Sequence, residues 1–123
     1  MESEEANPGL LTGWFVVEVG VRQAWPFLIL ADPRSGREVR IYVDAAVSVT
    51  SYPVPLRQDD PKVLLALDRI NNATVSSASV KDRALILRFG ADQVCVSGEA
   101  NELTTGSPWW FEMQAPGERG SSA

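Results

Sequence analysis

Few side chains in this chain have the types and spacing that chemistry requires. The sequence contains no histidine, so the commonest general base and metal ligand is missing. It holds neither a phosphate-binding glycine loop nor a dinucleotide fingerprint. The carboxylates are scattered; Asp59 and Asp60 are adjacent, but Asp60 precedes Pro61 in the position of a helix cap. An acid–base pair of carboxylates stays open, although no pair stands out. We therefore predict no catalytic residue, no cofactor and no metal site, and no enzymatic activity.

The single cysteine, Cys95, lies between Val94 and Val96. With one cysteine the chain can form no internal disulfide. In a strand, Cys95 faces the side opposite the two valines. A reactive thiol needs a helix start or a cationic neighbour that lowers its pKa, and the sequence shows neither. We interpret Cys95 as a small buried side chain.

The segment Trp109-Trp110-Phe111-Glu112 carries the strongest candidate for binding. On a strand, Trp109 and Phe111 share one face, while Trp110 and Glu112 share the other. A tryptophan next to a carboxylate on an outward face suits contact with another protein. The alternative is that both tryptophans close the end of a small core. Trp25, predicted in a turn, has the same two interpretations. The predicted partner-binding residues are Trp109, Trp110, Glu112 and Trp25.

The elements that must position these residues follow a repeated order. Gly13–Val43 and Ala73–Val96 each predict three consecutive strands, each copy burying an apolar face against the other. We predict an α+β fold made mainly of antiparallel sheet. Its two related three-stranded meanders would form one curved sheet or an open barrel with one short central helix. An all-β barrel with an incidental helix is the alternative.

The first meander predicts which side chains face inward. Phe15, Val17, Val19 and Val21 alternate with Glu18, Gly20 and Arg22. Gln23–Pro26 is predicted to turn the chain, and Phe27–Ala31 reads as a strand covered on both faces. In the next strand, Arg40, Tyr42 and Asp44 form an outward, solvated row. Val47–Val49 predicts a short fourth strand.

Asp60-Pro61 opens the one predicted helix, Pro61–Ile70. Its apolar stripe contains Val63, Leu64, Ala66, Leu67 and Ile70. A helix of this length is too short to be stable alone, so we expect it to pack against the sheet. Asn71-Asn72 is a plausible left-handed end.

Charge and composition indicate the extent of the domain and limit the classes of partner that it can bind. Met1–Gly9 and Ala115–Ala123 read as disordered tails around one domain, residues 10–114. The chain carries a net charge of −5, but the predicted domain holds 12 acids and 10 bases. This balance argues against nucleic acid, which needs clustered positive charge. No segment reads as a signal peptide or a membrane span. We expect a cytoplasmic monomer or homodimer.

The strand order, the helix end at Leu67–Asn72, the pattern Leu85-x-Leu87-x-Phe89 and the terminal tryptophan together resemble a known family. It is a family of small uncharacterised bacterial proteins, common in actinobacteria and found among candidate immunity proteins beside toxins. The resemblance covers about residues 10–113 and implies a binding or neutralising role without catalysis.

Three functions stay open at this point. The first is a non-catalytic protein-binding module, of which an immunity-type inhibitor is one form. The second is a small-molecule-binding domain that uses the concave sheet face, lined by Trp25, Tyr42 or Trp109. The third is a structural homo-oligomer paired through an edge strand.

Overall fold

The computed structural model describes residues 7–114. The predicted tails therefore lie outside the described residues, apart from Asn7–Gly9, which lead into a short 3₁₀ helix, Pro8–Leu11. The elements that follow are β1 Phe15–Arg22, β2 Trp25–Ala31, β3 Glu38–Val43, β4 Val47–Val49, α1 Lys62–Asp68, β5 Ser77–Lys81, β6 Ala84–Phe89, β7 Asp92–Val96 and β8 Trp109–Gln114. The order of four strands, one helix and four strands is the order that the sequence predicts. Within residues 7–114, no helix has the length and apolar character needed to cross a bilayer.

The strands form two four-stranded antiparallel sheets. Sheet A has the order β1-β2-β3-β8, and sheet B has the order β4-β7-β6-β5. An α+β fold of mainly antiparallel sheet with one short helix is thereby confirmed. The expectation of one curved sheet or an open barrel is wrong, because the chain leaves sheet A after Val43 and enters sheet B at Val47. The two sheets are not closed into a barrel.

Each sheet combines one meander with a strand from the other half of the chain. β4 follows the first meander but pairs with β7 of the second. β8 follows the second meander but pairs with β3 of the first. Neither sheet is therefore complete without strands from both halves.

One apolar core joins the two sheets and the helix. Sheet A contributes the inward row that the sequence predicts on β3: Val39, Ile41 and Val43. The remaining large members come from the other elements and include Leu28, Leu30, Val63, Leu67, Leu85, Leu87, Val94 and Val96. Because every strand except β5 and β8 contributes buried side chains, as does the helix, the core is shared rather than divided between the sheets.

Helix α1, Lys62–Asp68, lies within the predicted span Pro61–Ile70 but is shorter than predicted at both ends. The Asp60 carboxylate accepts a hydrogen bond from the Lys62 amide at 2.9 Å, which satisfies one free donor of the first turn. Asn72 has a φ of 74°, in the left-handed region that ends helices. Leu64 lies at the margin of the buried stripe rather than within it, because 37 % of its surface is exposed.

A β-bulge in β1 places several side chains of that strand on a different face of the sheet from the one that the sequence predicts. Val16 pairs with Leu30 and Glu18 with Ile29, so Val17 is an extra residue. Val16 is fully buried in the shared core, whereas Val17 packs on the opposite face of sheet A. The predicted single row from Phe15 to Val21 is therefore wrong, since alternation restarts after the bulge.

Candidate functional site: the outer face of sheet A

The face of sheet A that points away from the shared core carries most of the predicted binding residues. We call it the outer face. Side chains on a strand alternate between faces, so every second residue of β2, β3 and β8 lies here. Its main members are Trp25, Phe27, Ile29, Arg40, Tyr42, Trp110 and Glu112. The strand register aligns them in two rows, Phe27–Tyr42–Trp110 and Ile29–Arg40–Glu112.

Aromatic rings form a connected group on the outer face. The rings of Tyr42 and Trp110 stack with centroids 5.0 Å apart and planes 24° apart. Trp25 meets the Trp110 ring edge-on at 5.1 Å and the Tyr42 ring at 6.1 Å. Phe27 meets Tyr42 edge-on at 6.0 Å. Such pairs add stabilisation beyond the area that they bury, so the two tryptophans are held in fixed orientations.

The group has a buried layer and an exposed layer. Ile29 has no exposed surface, and Tyr42 and Phe27 expose only 5 % and 7 %. Trp25 and Trp110 pack over them and remain partly exposed. The small buried cluster on this face is built from side chains of sheet A alone, so Trp25 and Trp110 form its boundary with solvent.

Arg40 covers the centre of the outer face. Its guanidinium lies 5.2 Å from the centroid of the Phe27 ring and 5.8 Å from that of the Tyr42 ring, within the range of cation–π attraction. Its Nη1 atom donates to the Tyr42 hydroxyl at 3.0 Å and lies 3.5 Å from Glu112 Oε1. The Nε atom is buried and has no hydrogen-bond partner within residues 7–114.

Gly20 makes room for this packing. A Cβ atom on Gly20 would lie 2.9 Å from Cζ of Phe27, closer than real contacts allow. The tip of the Phe27 ring therefore lies against the bare backbone of β1 at Gly20.

The structure places Trp25 in a strand rather than in a turn. The turn between β1 and β2 takes only two residues, Gln23 and Ala24, and Gln23 adopts a φ of 58°. Two-residue hairpin turns require such positive φ values. Trp25 is therefore the first residue of β2 and pairs with Arg22, which directs its ring onto the outer face.

Trp109 and Trp110 face opposite sides of sheet A, as alternation predicts. Trp109 packs against the shared core, and its ring centroid lies 5.5 Å from that of Phe111. Its Nε1 atom donates to the Arg83 carbonyl at 2.9 Å, which ties β8 to the β5–β6 turn. Of the four predicted binding residues, the structure brings together Trp25, Trp110 and Glu112, and it separates Trp109 from them.

The row Arg40, Tyr42 and Asp44 is not the solvated row that the sequence predicts. Only 13 % of the Arg40 side chain is exposed, and Asp44 is 3 % exposed. Arg40 and Tyr42 are buried because the flanking strands β2 and β8 bring aromatic rings against them. Asp44 is buried because the loop between β7 and β8 folds over it.

The Asp44 carboxylate anchors that loop, residues 97–108. Its Oδ2 atom accepts from the Thr105 amide at 2.9 Å and from the Thr105 hydroxyl at 3.1 Å. Its Oδ1 atom accepts from the Gln58 side chain, which also donates to Asn101 at 2.9 Å. These bonds give each carboxylate oxygen at least one donor, so the cluster holds the loop in place.

The sequence contains no signal that would have identified Arg40 or Gln58. Arg40 alternates with buried residues in the way that any solvated strand residue does, and its importance comes from neighbours on β2 and β8. Gln58 and Asn101 are 43 residues apart in the chain and carry no motif.

Cys95 lies on the face of sheet B opposite Val94 and Val96, across from Ser48 and Ile86. Partial burial raises the pKa of the thiol above its ordinary value. In the part of the chain that the structure describes, no three His, Cys, Asp or Glu side chains are grouped so that they could hold a metal ion.

Comparisons with known proteins identify no relative of this chain. No protein family matches this sequence, and neither a curated protein nor a solved structure matches it significantly.

Proposed function

We propose that this protein is a non-catalytic protein-binding module that recognises its partner with the outer face of sheet A. The contact residues are Trp25, Trp110 and Glu112. The observation that carries this proposal is the partly exposed Trp25–Trp110 pair, which rests on a buried aromatic layer instead of on the shared core.

The construction of the outer face favours protein recognition. Tryptophan contributes a large contact area with few rotatable bonds, and it is enriched among the residues that dominate binding energies. The stacking of Trp110 on Tyr42 fixes its ring before any partner arrives, which lowers the entropy lost on binding. Glu112, whose side chain is 53 % exposed, adds a charge at the rim of the aromatic group.

An immunity-type inhibitor is the specific form of this function that we propose. The support is the resemblance drawn from the sequence. A toxin domain encoded next to this chain is the first candidate partner, and stable co-purification of the two proteins would be the expected result.

The test compares matched variants in binding to a captured partner. Trp110→Ala should weaken binding by at least tenfold, because it removes a preorganised contact residue. Glu112→Gln, which keeps the shape of the side chain, should weaken it less. The control is Leu65→Ala on α1, which alters a side chain that is 66 % exposed and lies outside sheet A. Circular dichroism checks that each variant is folded, and unchanged binding by folded Trp110→Ala would contradict the proposal.

The small-molecule alternative has weaker geometric support. Trp109 lies on the opposite face from Trp25 and Tyr42, so the three do not line one cavity. An open polar groove of about 270 Å³ lies on sheet B, lined by residues that include Thr50, Arg88 and Gln93. None of the aromatic residues predicted to bind a ligand lines that groove.

A further inference from the structure

Strand β8 is an edge strand with a long free side. It pairs with β3 over its whole length, from Trp109 to Gln114, and it forms no bulge there. Among residues 7–114, no other segment makes a backbone hydrogen bond to β8 on its far side. Unpaired strand edges of this kind are templates for a further strand.

The other three sheet edges are covered, bulged or short over at least part of their length. At β1, the Val16 amide donates to Ala73, and the Val16 carbonyl accepts from Asn72. β4 has only three residues, and Val47 exchanges two backbone hydrogen bonds with Leu56. The 3₁₀ helix, Pro8–Leu11, packs against β5. Covering, shortening and bulging are the usual ways in which proteins block edges, and β8 shows none of them in the described part of the chain.

The ladder identifies which backbone groups of β8 face the free side. The Asp44 amide donates to the Pro108 carbonyl at 2.7 Å, so this pair is hydrogen-bonded. Hydrogen-bonded and non-hydrogen-bonded pairs alternate along an antiparallel ladder. Trp110 and Glu112 therefore bond to β3, whereas the N–H and C=O groups of Trp109, Phe111 and Met113 point to the free edge.

We propose that β8 accepts an extended segment of the partner protein as a fifth strand of sheet A, and that this segment carries a lysine or arginine opposite Glu112. The inference rests on the proposed function and gives its mode of binding. The six residues of β8 match a partner strand of about six residues, the usual strand length.

The side chains of β8 specify the chemistry of the partner strand. A fifth strand would place its residues opposite Trp110 and Glu112 in non-hydrogen-bonded pairs, where side chains are closest. A basic residue opposite Glu112 forms a favourable cross-strand pair. The row across the sheet would then carry a positive charge at Arg40, a negative charge at Glu112 and a positive charge on the partner strand. An aromatic or β-branched residue opposite Trp110 extends the aromatic group in the same way.

A second copy of this chain fits the edge less well. In an antiparallel pair of two β8 strands centred on Phe111, Glu112 would lie opposite Trp110 of the other copy. Centred on Glu112, the pair would place the two carboxylates opposite each other, which is destabilising. Neither arrangement places a basic residue opposite Glu112, so the charges favour a different protein as the source of the fifth strand.

The experiment first selects peptides that bind the protein and then determines whether they bind at the free edge of β8. A displayed library of random 12-residue peptides is panned against the full chain, and the selected peptides are tested on Met113→Pro and Met113→Ala. Proline at 113 removes an N–H that faces the free edge without removing a bond to β3, and edge strands tolerate it. We expect selected peptides to alternate and to contain a basic residue. Met113→Pro should weaken their binding at least tenfold, and Met113→Ala should change it little.

Hydrogen exchange followed by NMR gives a second, independent measurement. In the free protein, the amides of Trp109, Phe111 and Met113 should exchange faster than those of Trp110 and Glu112. A selected peptide should slow the first three amides. Panning against Glu112→Lys should select acidic instead of basic residues at the paired position.

The outcomes separate this proposal from the proposed function. Peptides that bind Met113→Pro as well as the parent, or that leave the three outward amides unprotected, would overturn strand addition. Binding that still depends on Trp110 would then uphold the outer face as the site. Failure to enrich any alternating peptide would also overturn strand addition, as would a dimer that Met113→Pro abolishes, since that result assigns the edge to a second copy.

Discussion

Arg40 shows how a charged side chain can complete an apolar layer. Its stem and guanidinium cover Phe27 and Ile29, and its charge meets the faces of two aromatic rings and Glu112. Its buried Nε atom nevertheless has no acceptor within the described residues. An unsatisfied buried donor costs free energy, so part of what Arg40 gains by packing is lost again.

We therefore predict different effects for two substitutions of Arg40. Arg40→Met keeps most of the packing and removes the unpaired donor, so the free energy of unfolding should change by less than about 1 kcal/mol. Arg40→Ala exposes the layer beneath and should cost about 2–4 kcal/mol. Urea unfolding followed by tryptophan fluorescence measures both. Equal losses for the two variants would show that the charge, and not the packing, stabilises this face.

Hydrogen bonds to a single residue, Asp44, hold the loop of residues 97–108 against the end of β3. The loop joins β7 of sheet B to β8 of sheet A, and therefore carries the chain from one sheet to the other. Besides the bonds to Thr105 and Gln58, the Asp44 backbone carbonyl accepts from the Thr104 hydroxyl at 2.7 Å. The position of β8 follows from this anchor.

We predict that Asp44→Ala loosens the loop and the start of β8. The Thr105 amide loses its acceptor and the Gln58 side chain loses one of two, which should lower the free energy of unfolding by about 1–3 kcal/mol. Hydrogen exchange should accelerate at Thr105 and Trp110. Asp59→Ala is the control, since it removes a nearby carboxylate that pairs with Arg57 at the surface. The prediction fails if both variants leave exchange in the loop unchanged.

The elements were largely predictable from the sequence, because local patterns determine them. Val39, Ile41 and Val43 alternate and face the core, and Asp60 caps α1 where its sequence position suggests. The bulge at Val17 was not predictable, because an extra residue leaves no mark in the pattern of valines. The burial of Asp44 was not predictable either, since it depends on a loop about 60 residues later in the chain.

At the scale of the whole molecule, the exchange of strands makes the two sheets interdependent. β4 and β8 each leave the meander that precedes them and complete the other sheet. The shared core adds a second connection, because residues of both sheets pack in one cluster. Unfolding of either half of the chain therefore removes strands from both sheets.

We predict that sheets A and B unfold together. In a urea titration followed by NMR, amide signals of β2, at the centre of sheet A, and of β6, at the centre of sheet B, should disappear at the same concentration. Cooperativity follows because each sheet contains a strand from the other half of the chain. Two separate midpoints would show that one sheet persists alone, in contradiction to this interpretation.

The candidate site was only partly predictable, because it is assembled from strands that are distant in the sequence. Alternation along β8 correctly separates Trp109 from Trp110, since it needs only local information. The contact of Trp110 with Trp25 depends on β8 lying beside β3, and no local pattern indicates that pairing of distant strands. The sequence repeat predicted two meanders but not the exchange between them.

The strand exchange also has a consequence for synthesis on the ribosome. The first meander emerges early, but its neighbour β8 is translated after all the other strands that residues 7–114 form. Until then, the Tyr42 ring lacks Trp110 as its covering, and β3 offers an open edge to other nascent chains. The outer face can thus be complete only after translation has passed Glu112, so the proposed binding site becomes available only when sheet A is fully formed.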